Sequence, residues 1–230
     1  MSPPDVASTP SAHMSPADLR SRLVDIARKD LPALVRELVI DRQQPHCFAD
    51  DLTVFPMVQE HLASGLKIDP GGVRLVGSGC VGYSVAPDTF PRQFHDGSDL
   101  DFAIVSEELF DAAWDTLLTW GHPRRHGLYA HELDWFNRRK DEIFWGWIDV
   151  GYLTFPRLKF MRELRPLRDL RFRWFDAFQS VSGAFPSTHL AGRDVGGRLY
   201  RTEDQLVHYQ AEGLRKLKYR LANASKKKEA

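Results

Sequence analysis

Cysteine is nearly missing from this chain: Cys47 and Cys80 are the only two in 230 residues, and they match no zinc-ligand spacing. A disulfide framework and a thiolate metal cluster are thereby excluded, and a reducing, cytoplasmic setting is the expectation. Net charge is missing too. Thirty-one basic residues balance 31 acidic ones, so no overall positive field marks a general nucleic-acid binder. No apolar run approaches the roughly 20 residues of a membrane helix. The opening MSPPDVASTPSAH has neither the basic nor the apolar region of a signal peptide. No membrane contact is expected, and no internal repeat or linker is visible.

What is present is a chain with 43% hydrophobic residues, enough to bury a core without covalent staples. Residues 1–14, rich in Pro, Ser and Ala, read as a disordered tail, and 223–230, with its lysine run, as a solvated one. Between them, Ser15 and Pro16 start a helix that carries Leu19, Leu23 and Ile26. Asp30 and Pro32 repeat that signal, and a third helix is predicted over Thr53–Ala63. GGVRLVGSG reads as a short strand breaking into a glycine turn, DLDFAIV as a second strand, and Ser106 as the start of a helix through Leu118. IFWGWIDVGYL predicts a central strand from its β-branched and aromatic content. Helical patterns cover 156–178, with Pro166 starting or kinking a helix, and 202–222. A soft division follows: a core with N-terminal helices over 15–155 and a C-terminal helical part over 156–222.

The chemistry concentrates in SDLDFAIV. Asp99 and Asp101 stand two residues apart on a predicted strand, so both carboxylates project from one face. Like charges so placed oppose each other's ionisation unless a cation or solvent intervenes. Magnesium suits the pair, since it takes carboxylate and phosphate oxygens and keeps several waters. Asp149, the lone acid in WGWIDVGYL, is positioned to add a third carboxylate from another strand. Upstream, Gly77 and Ser78 in LVGSG offer backbone N–H groups and a hydroxyl to a phosphate.

Together, VGSGCVGYS, SDLDFAIV and WIDVGY resemble the signature of the nucleotidyltransferase superfamily related to DNA polymerase β. The resemblance covers about a third of the chain, Val73 to Tyr152. It implies an α+β fold in which a small mixed sheet, the polymerase β-like palm, lies between N-terminal helices and a C-terminal helical part. It also implies that Gly77 and Ser78 bind phosphate and that Asp99, Asp101 and Asp149 are catalytic and hold Mg2+, or Mn2+ in its place. The implied reaction moves a nucleoside monophosphate from a nucleoside triphosphate to a hydroxyl and releases pyrophosphate. The stretch between Ser78 and Asp99 is longer than in minimal members, which marks an inserted loop.

Cations are candidates for the triphosphate. Arg198, Arg201, Lys216 and Lys218 sit where related enzymes often place such a group, on the C-terminal part. PRLKFMRELRPLRDLRFRW concentrates positive charge from Arg157 to Arg173, either as a solvated stripe or as a cleft lining. If it lines the cleft, the acceptor is a nucleotide or nucleic acid. His95 lies on the inserted loop, and Trp145 and Trp147 flank the third acid as packing or stacking residues. The family includes makers of oligonucleotide signals in bacterial antiphage defence, which would entail an effector or toxin partner protein. The alternative is a non-catalytic antitoxin or nucleic-acid-binding partner with the same fold.

Overall fold

Helix α1 (Pro16–Asp25) begins at a cap: Ser15 Oγ accepts the Asp18 N–H at 3.1 Å, with Pro16 at the first helical position. This computed structural model describes residues 13–42, 44–124, 127–153, 161–186, 188 and 190–229. Helix α2 (Leu31–Val35) continues through a π-turn over Arg36–Ile40, and α3 (Val54–Leu66) ends on Lys67 in the left-handed region. Strand β1 (Val73–Val76) breaks into the one-turn helix α4 (Gly77–Val81), and β2 (Leu100–Val105) follows after the inserted loop. Ser106 caps α5 (Glu107–Arg124) through its hydroxyl and carbonyl. Helix α6 (Ala130–Phe144), β3 (Trp147–Ile148), α7 (Arg165–Ala184), β4 (Val195–Tyr200) and α8 (Glu203–Glu229) complete the chain.

The four strands form one mixed sheet in the order β1-β2-β4-β3. β2 is antiparallel to β1 and parallel to β4, and β3 is antiparallel to β4. The protein is therefore α+β, as expected, with its sheet spanning both parts of the anticipated division. Leu100, Phe102, Ala103 and Ile104 of β2 are each at most 1% exposed and anchor the core. Phe178 of α7 meets Phe102 with ring centroids 6.3 Å apart, and α3 lies against α7 so closely that a Cβ on Gly65 would stand 2.8 Å from the Ala177 Cβ. Helix α8 is tied to the N-terminal helices by Lys218, whose Nζ donates to the carbonyls of Val24 and Ile26 at 3.0 and 2.7 Å.

Several expectations need correction. IFWGWIDVGYL is not a central strand: Ile143 and Phe144 end α6, Gly146 turns the chain at φ +78°, and only Trp147 and Ile148 pair, at the sheet's edge. The interior positions belong to β2 and to β4, which lies between the two helical patterns of the C-terminal part expected to be helical. Its two adjacent glycines dilute the strand pattern in VGGRLY. Helix α8 runs on to Glu229, across the stretch read as a tail. The first 12 residues of the other expected tail and the boundary at Pro156 lie outside the described residues. Among the described residues no helix is long and apolar enough to cross a membrane.

The Gly65–Ala177 contact yields a test. Gly65→Leu should destabilise the fold by about 2 kcal/mol through overpacking. Equilibrium urea unfolding should show a lower midpoint with an unchanged slope; an unshifted midpoint would mean that α3 and α7 are not in this contact.

Candidate functional site

The end of β1 sets the geometry. Val76 pairs with Asp101, so the chain leaving β1 turns beside the Asp101 carboxylate. Gly77 makes that turn at φ +65°, and a Cβ there would lie 3.2 Å from Asp101 Oδ2. Both the left-handed backbone and the crowding call for glycine. On its other edge Asp101 faces Gly196 of β4, where a Cβ would meet open space. Asp99 immediately precedes β2, held in line by the Leu100 N–H donating to the Asp194 carbonyl at 3.0 Å.

Asp149 arrives from the end of β3. Its Oδ1 accepts the Gly151 N–H at 3.1 Å and caps a 3-10 turn over Val150–Tyr152, which ends the strand. Its own N–H donates to Glu142 Oε2 at 3.5 Å. Glu142 is held by Arg139 at 2.5 Å, and Arg139 also donates to the Tyr152 carbonyl at 2.9 Å. Burial first, and then the nearby Asp149 charge, raise the Glu142 carboxyl above its ordinary range against the pull of Arg139.

A cleft of about 740 Å³ brings Asp99, Asp101 and Asp149 together with Gly77, Ser78 and Lys216. A second, of about 420 Å³, shares the three aspartates and is otherwise lined from α7 by Trp174, Phe175, Phe178 and Gln179. The acids thus stand where two openings meet. Asp101 opens to the cleft, yet its surroundings crowd it: burial, and next the Asp99 charge, raise its carboxyl above the ordinary range, with Arg198 opposing. Among the described residues neither the Asp99 nor the Asp101 carboxylate has a hydrogen bond or an ion pair. Asp149 differs, because Arg198 Nη2 lies 3.8 Å from its Oδ2. Arg198 is itself enclosed, its guanidinium 4.7 Å from the Trp147 ring and 4.8 Å from that of Tyr209, whose hydroxyl accepts its hydrogen bond.

These groups can be weighed as a metal seat. Asp99 and Asp101 fit one: two hard oxygen ligands without a cation partner, one of them disfavoured in its charged form. Among the described residues, however, no three His, Cys, Asp or Glu side chains stand close enough to hold an ion. Asp149 shares the cleft without completing a closed triad.

Of the four C-terminal cations, two reach the cleft, Arg198 and Lys216. Arg201 does not: it lies one residue beyond β4 and pairs with Asp111 at 2.8 and 3.1 Å and with Glu107 at 2.9 Å. Lys218 caps α1 instead, since two residues along a helix turn a side chain by about 200°, away from the face of Lys216. No described arginine from Arg162 to Arg173 lines either cleft. Arg171 donates to the Gly151 carbonyl at 3.2 Å, Arg173 to that of Leu66 at 3.4 Å, and Arg165 pairs with Asp169 at 3.4 Å. Arg157 and Lys159 lie outside the described residues.

His95 is exposed, its Nδ1 accepting the Gly97 N–H at 3.1 Å, and it lines neither cleft. Trp147 packs in the core with Tyr209, whereas Trp145, at the end of α6, is 68% exposed. Arg92, Glu142, Tyr200 and Tyr209 had no sequence signal that singled them out. Each is brought to the site by tertiary packing alone. Compared with protein-family models, with curated proteins and with solved structures, the chain matches none.

The raised Asp101 carboxyl has a stability consequence. Because the folded state favours its protonated form, its contribution is fullest at low pH and is lost as pH rises through the folded value, above the ordinary carboxylate range. Asp101→Asn should therefore stabilise the metal-free chain by about 0.5 kcal/mol at neutral pH, discounted for its open side, or roughly 1–2 °C in Tm. Thermal melts in chelator across the acid range should show the gain shrinking as pH falls. A variant less stable than wild type at every pH would contradict the assignment.

Proposed function

We propose that this protein is a metal-dependent nucleotidyltransferase. The observation that carries the reading is the pair of unpartnered carboxylates, Asp99 and Asp101, beside the Gly77–Ser78 turn in a cleft that also holds Lys216 and Arg198. The resemblance of these segments to the polymerase β-like superfamily, and the small mixed sheet that carries them, support it.

Asp99 and Asp101 would hold Mg2+ or Mn2+, with Asp149 at hand in the same cleft; the ion, when bound, would supply neutralisation of phosphate charge. The remaining work falls to the chain's own groups. Gly77, lacking a Cβ, lets backbone N–H groups approach the phosphates, and the Ser78 hydroxyl donates beside them. The second cleft admits the acceptor, whose hydroxyl oxygen bonds to the α-phosphorus as the bond to pyrophosphate breaks. Asp149 Oδ2 is the atom to receive the hydroxyl proton, because Oδ1 is engaged by Gly151 and Arg198 holds Oδ2 only at 3.8 Å. Positioning and charge neutralisation carry the rate, with little covalent work for the protein.

A nucleotide or nucleic-acid acceptor suits the second cleft, where the half-buried ring of Phe175 offers an aromatic surface for a base, backed by the core residue Trp174. Synthesis of an oligonucleotide signal in antiphage defence, with a separate effector or toxin, is the biological setting the resemblance favours. One observation favours the non-catalytic alternative: Asp149 already has a cation nearby in Arg198.

The test is incorporation of label from α-labelled nucleoside triphosphates with Mg2+ or Mn2+. Asp99→Asn with Asp101→Asn should lower transfer by about 10²–10³-fold or more, since it removes preorganised charge at the reacting phosphate. Equal incorporation by the double variant and wild type, or none by either with any triphosphate and acceptor, would sink the enzymatic reading.

A further inference from the structure

The inserted loop between α4 and β2 is a wall of the larger cleft, which Ser84, Ala86, Thr89 and Arg92 help to line. It is firmly built. Tyr83 bridges Gln93, the Ser84 N–H donates to the Arg92 carbonyl at 2.8 Å, and the Arg92 N–H donates to that of Thr89 at 2.7 Å. Ser84 and Thr89 hydroxyls meet at 2.6 Å, and Arg193 fastens the far end by donating to the His95 and Ser98 carbonyls, each at 2.8 Å. Asp88, near the tip, pairs with Arg220 of α8.

Against that framework the Arg92 side chain stands out. Its backbone is fully used, yet among the described residues its guanidinium has no hydrogen bond, ion pair or ring contact, and it is exposed in the cleft. Lys216, reaching the same cleft from α8, likewise makes no hydrogen bond or ion pair among the described residues, its neighbouring charge being Glu212 one turn back on the helix. Neither do the Asp99 and Asp101 carboxylates. Arg92 and Lys216 therefore share one cleft with Asp99 and Asp101 and form no ion pair with them, although opposite charges within reach of each other would do so. The fold keeps them apart, and a ligand spanning the gap must offer anionic groups at the cation end.

We infer that Arg92 and Lys216 seat the outer two phosphates of a nucleoside triphosphate, and that Arg92 is the residue by which the inserted loop makes the cleft select triphosphates over shorter phosphate chains. The ligand's identity rests on the nucleotidyltransferase reading: the α-phosphate must lie at Asp99 and Asp101, so the β- and γ-phosphates extend toward the opposite walls. Arginine suits the role because its planar fork takes two phosphate oxygens at once. Arg198 does not serve here, since Tyr209, Trp147 and Asp149 already engage it.

Inorganic tripolyphosphate, titrated calorimetrically into the full-length chain with Mg2+ present, tests this without requiring turnover. Arg92→Ala and Lys216→Ala should each weaken binding about tenfold, as loss of a charged hydrogen bond does. Arg92→Lys, which keeps the charge and loses the fork, should fall between wild type and Arg92→Ala, weakening binding by about threefold. Arg138→Ala, which removes an exposed cation of α6 paired with Asp134 at 3.0 Å, should change nothing. Melting curves matching wild type guard against a collapsed loop, and Arg92→Gln, which removes the charge and keeps most of the stem, serves with the same expected loss of about tenfold if the alanine variant does not fold. Wild-type-like tripolyphosphate binding by Arg92→Ala overturns the inference, as does no binding by wild type, or a dependence on Arg92 seen only with a single-stranded oligonucleotide. Loss of binding in Arg92→Ala while wild type transfers no label would leave this phosphate seat standing and remove the transferase reading. Transfer by wild type with binding intact in Arg92→Ala would do the reverse.

Discussion

Asp101 sits second in a strand whose next three side chains, and the one before it, are almost wholly buried, and the organisation of the site follows from that placement. Leu100, Phe102, Ala103 and Ile104 bind β2 into the core, each large apolar side chain contributing about 1.5–3 kcal/mol. Two carboxylates roughly 7 Å apart on an extended segment oppose each other by about 0.6 kcal/mol at the water-like dielectric of an open cleft. Burial of the strand outweighs that repulsion several times over. The core can therefore hold a like-charged pair in place, and the pair needs no cation of its own for the fold to stand.

Such a strand needs neighbours that do not cover it. β1 ends opposite Asp101 and turns away at Gly77. β4 supplies Gly196 opposite Asp101 and Gly197 beside it, and their lack of side chains has two effects. At Gly196 open space is preserved over the acids, and at Gly197 Phe178 of α7 closes in, since a Cβ there would lie 2.5 Å from its ring. Adjacent glycines weaken a strand by roughly 0.5–1 kcal/mol each. Here that cost accompanies an open floor on one side of the sheet and close helix packing on the other.

The same glycines explain what could be read in advance. β1, β2 and the helices with Ser15, Ser106 and Pro166 at their starts were legible because cap residues and apolar periodicity agree locally. β4 was hidden by Gly196 and Gly197. β3 was overread because an aromatic-rich run carried a helix end, a turn at Gly146 and only two paired residues. Among site residues, the acids and the Gly77–Ser78 turn were visible as a pattern along one strand-turn-strand segment. Lys216 could be separated from Lys218 only by knowing which face of α8 meets α1. Arg201 likewise depended on Glu107 and Asp111 of α5, some 90 residues earlier. Such pairings are decided by the packing of distant elements, which no local pattern records.

Commitment of charge within the protein separates framework from site. Arg193 and Lys218 spend their donors on backbone carbonyls, Arg139 on Glu142 and Tyr152, and Arg201 on α5; each joins segments that are far apart or braces one that carries Asp149. Arg198 stands between the two kinds, enclosed by rings yet within 3.8 Å of Asp149. Burial works against its charge, while Tyr209, Tyr200 and Asp149 more than offset that and hold it above its ordinary value. Asp149 is thereby braced from two sides, Oδ1 by the Gly151 N–H and Oδ2 by the more distant Arg198, without either oxygen being closed off from the cleft. Asp101 has no such brace: burial and then the Asp99 charge raise its carboxyl against the pull of Arg198, so an ion bound beside it would favour its charged form.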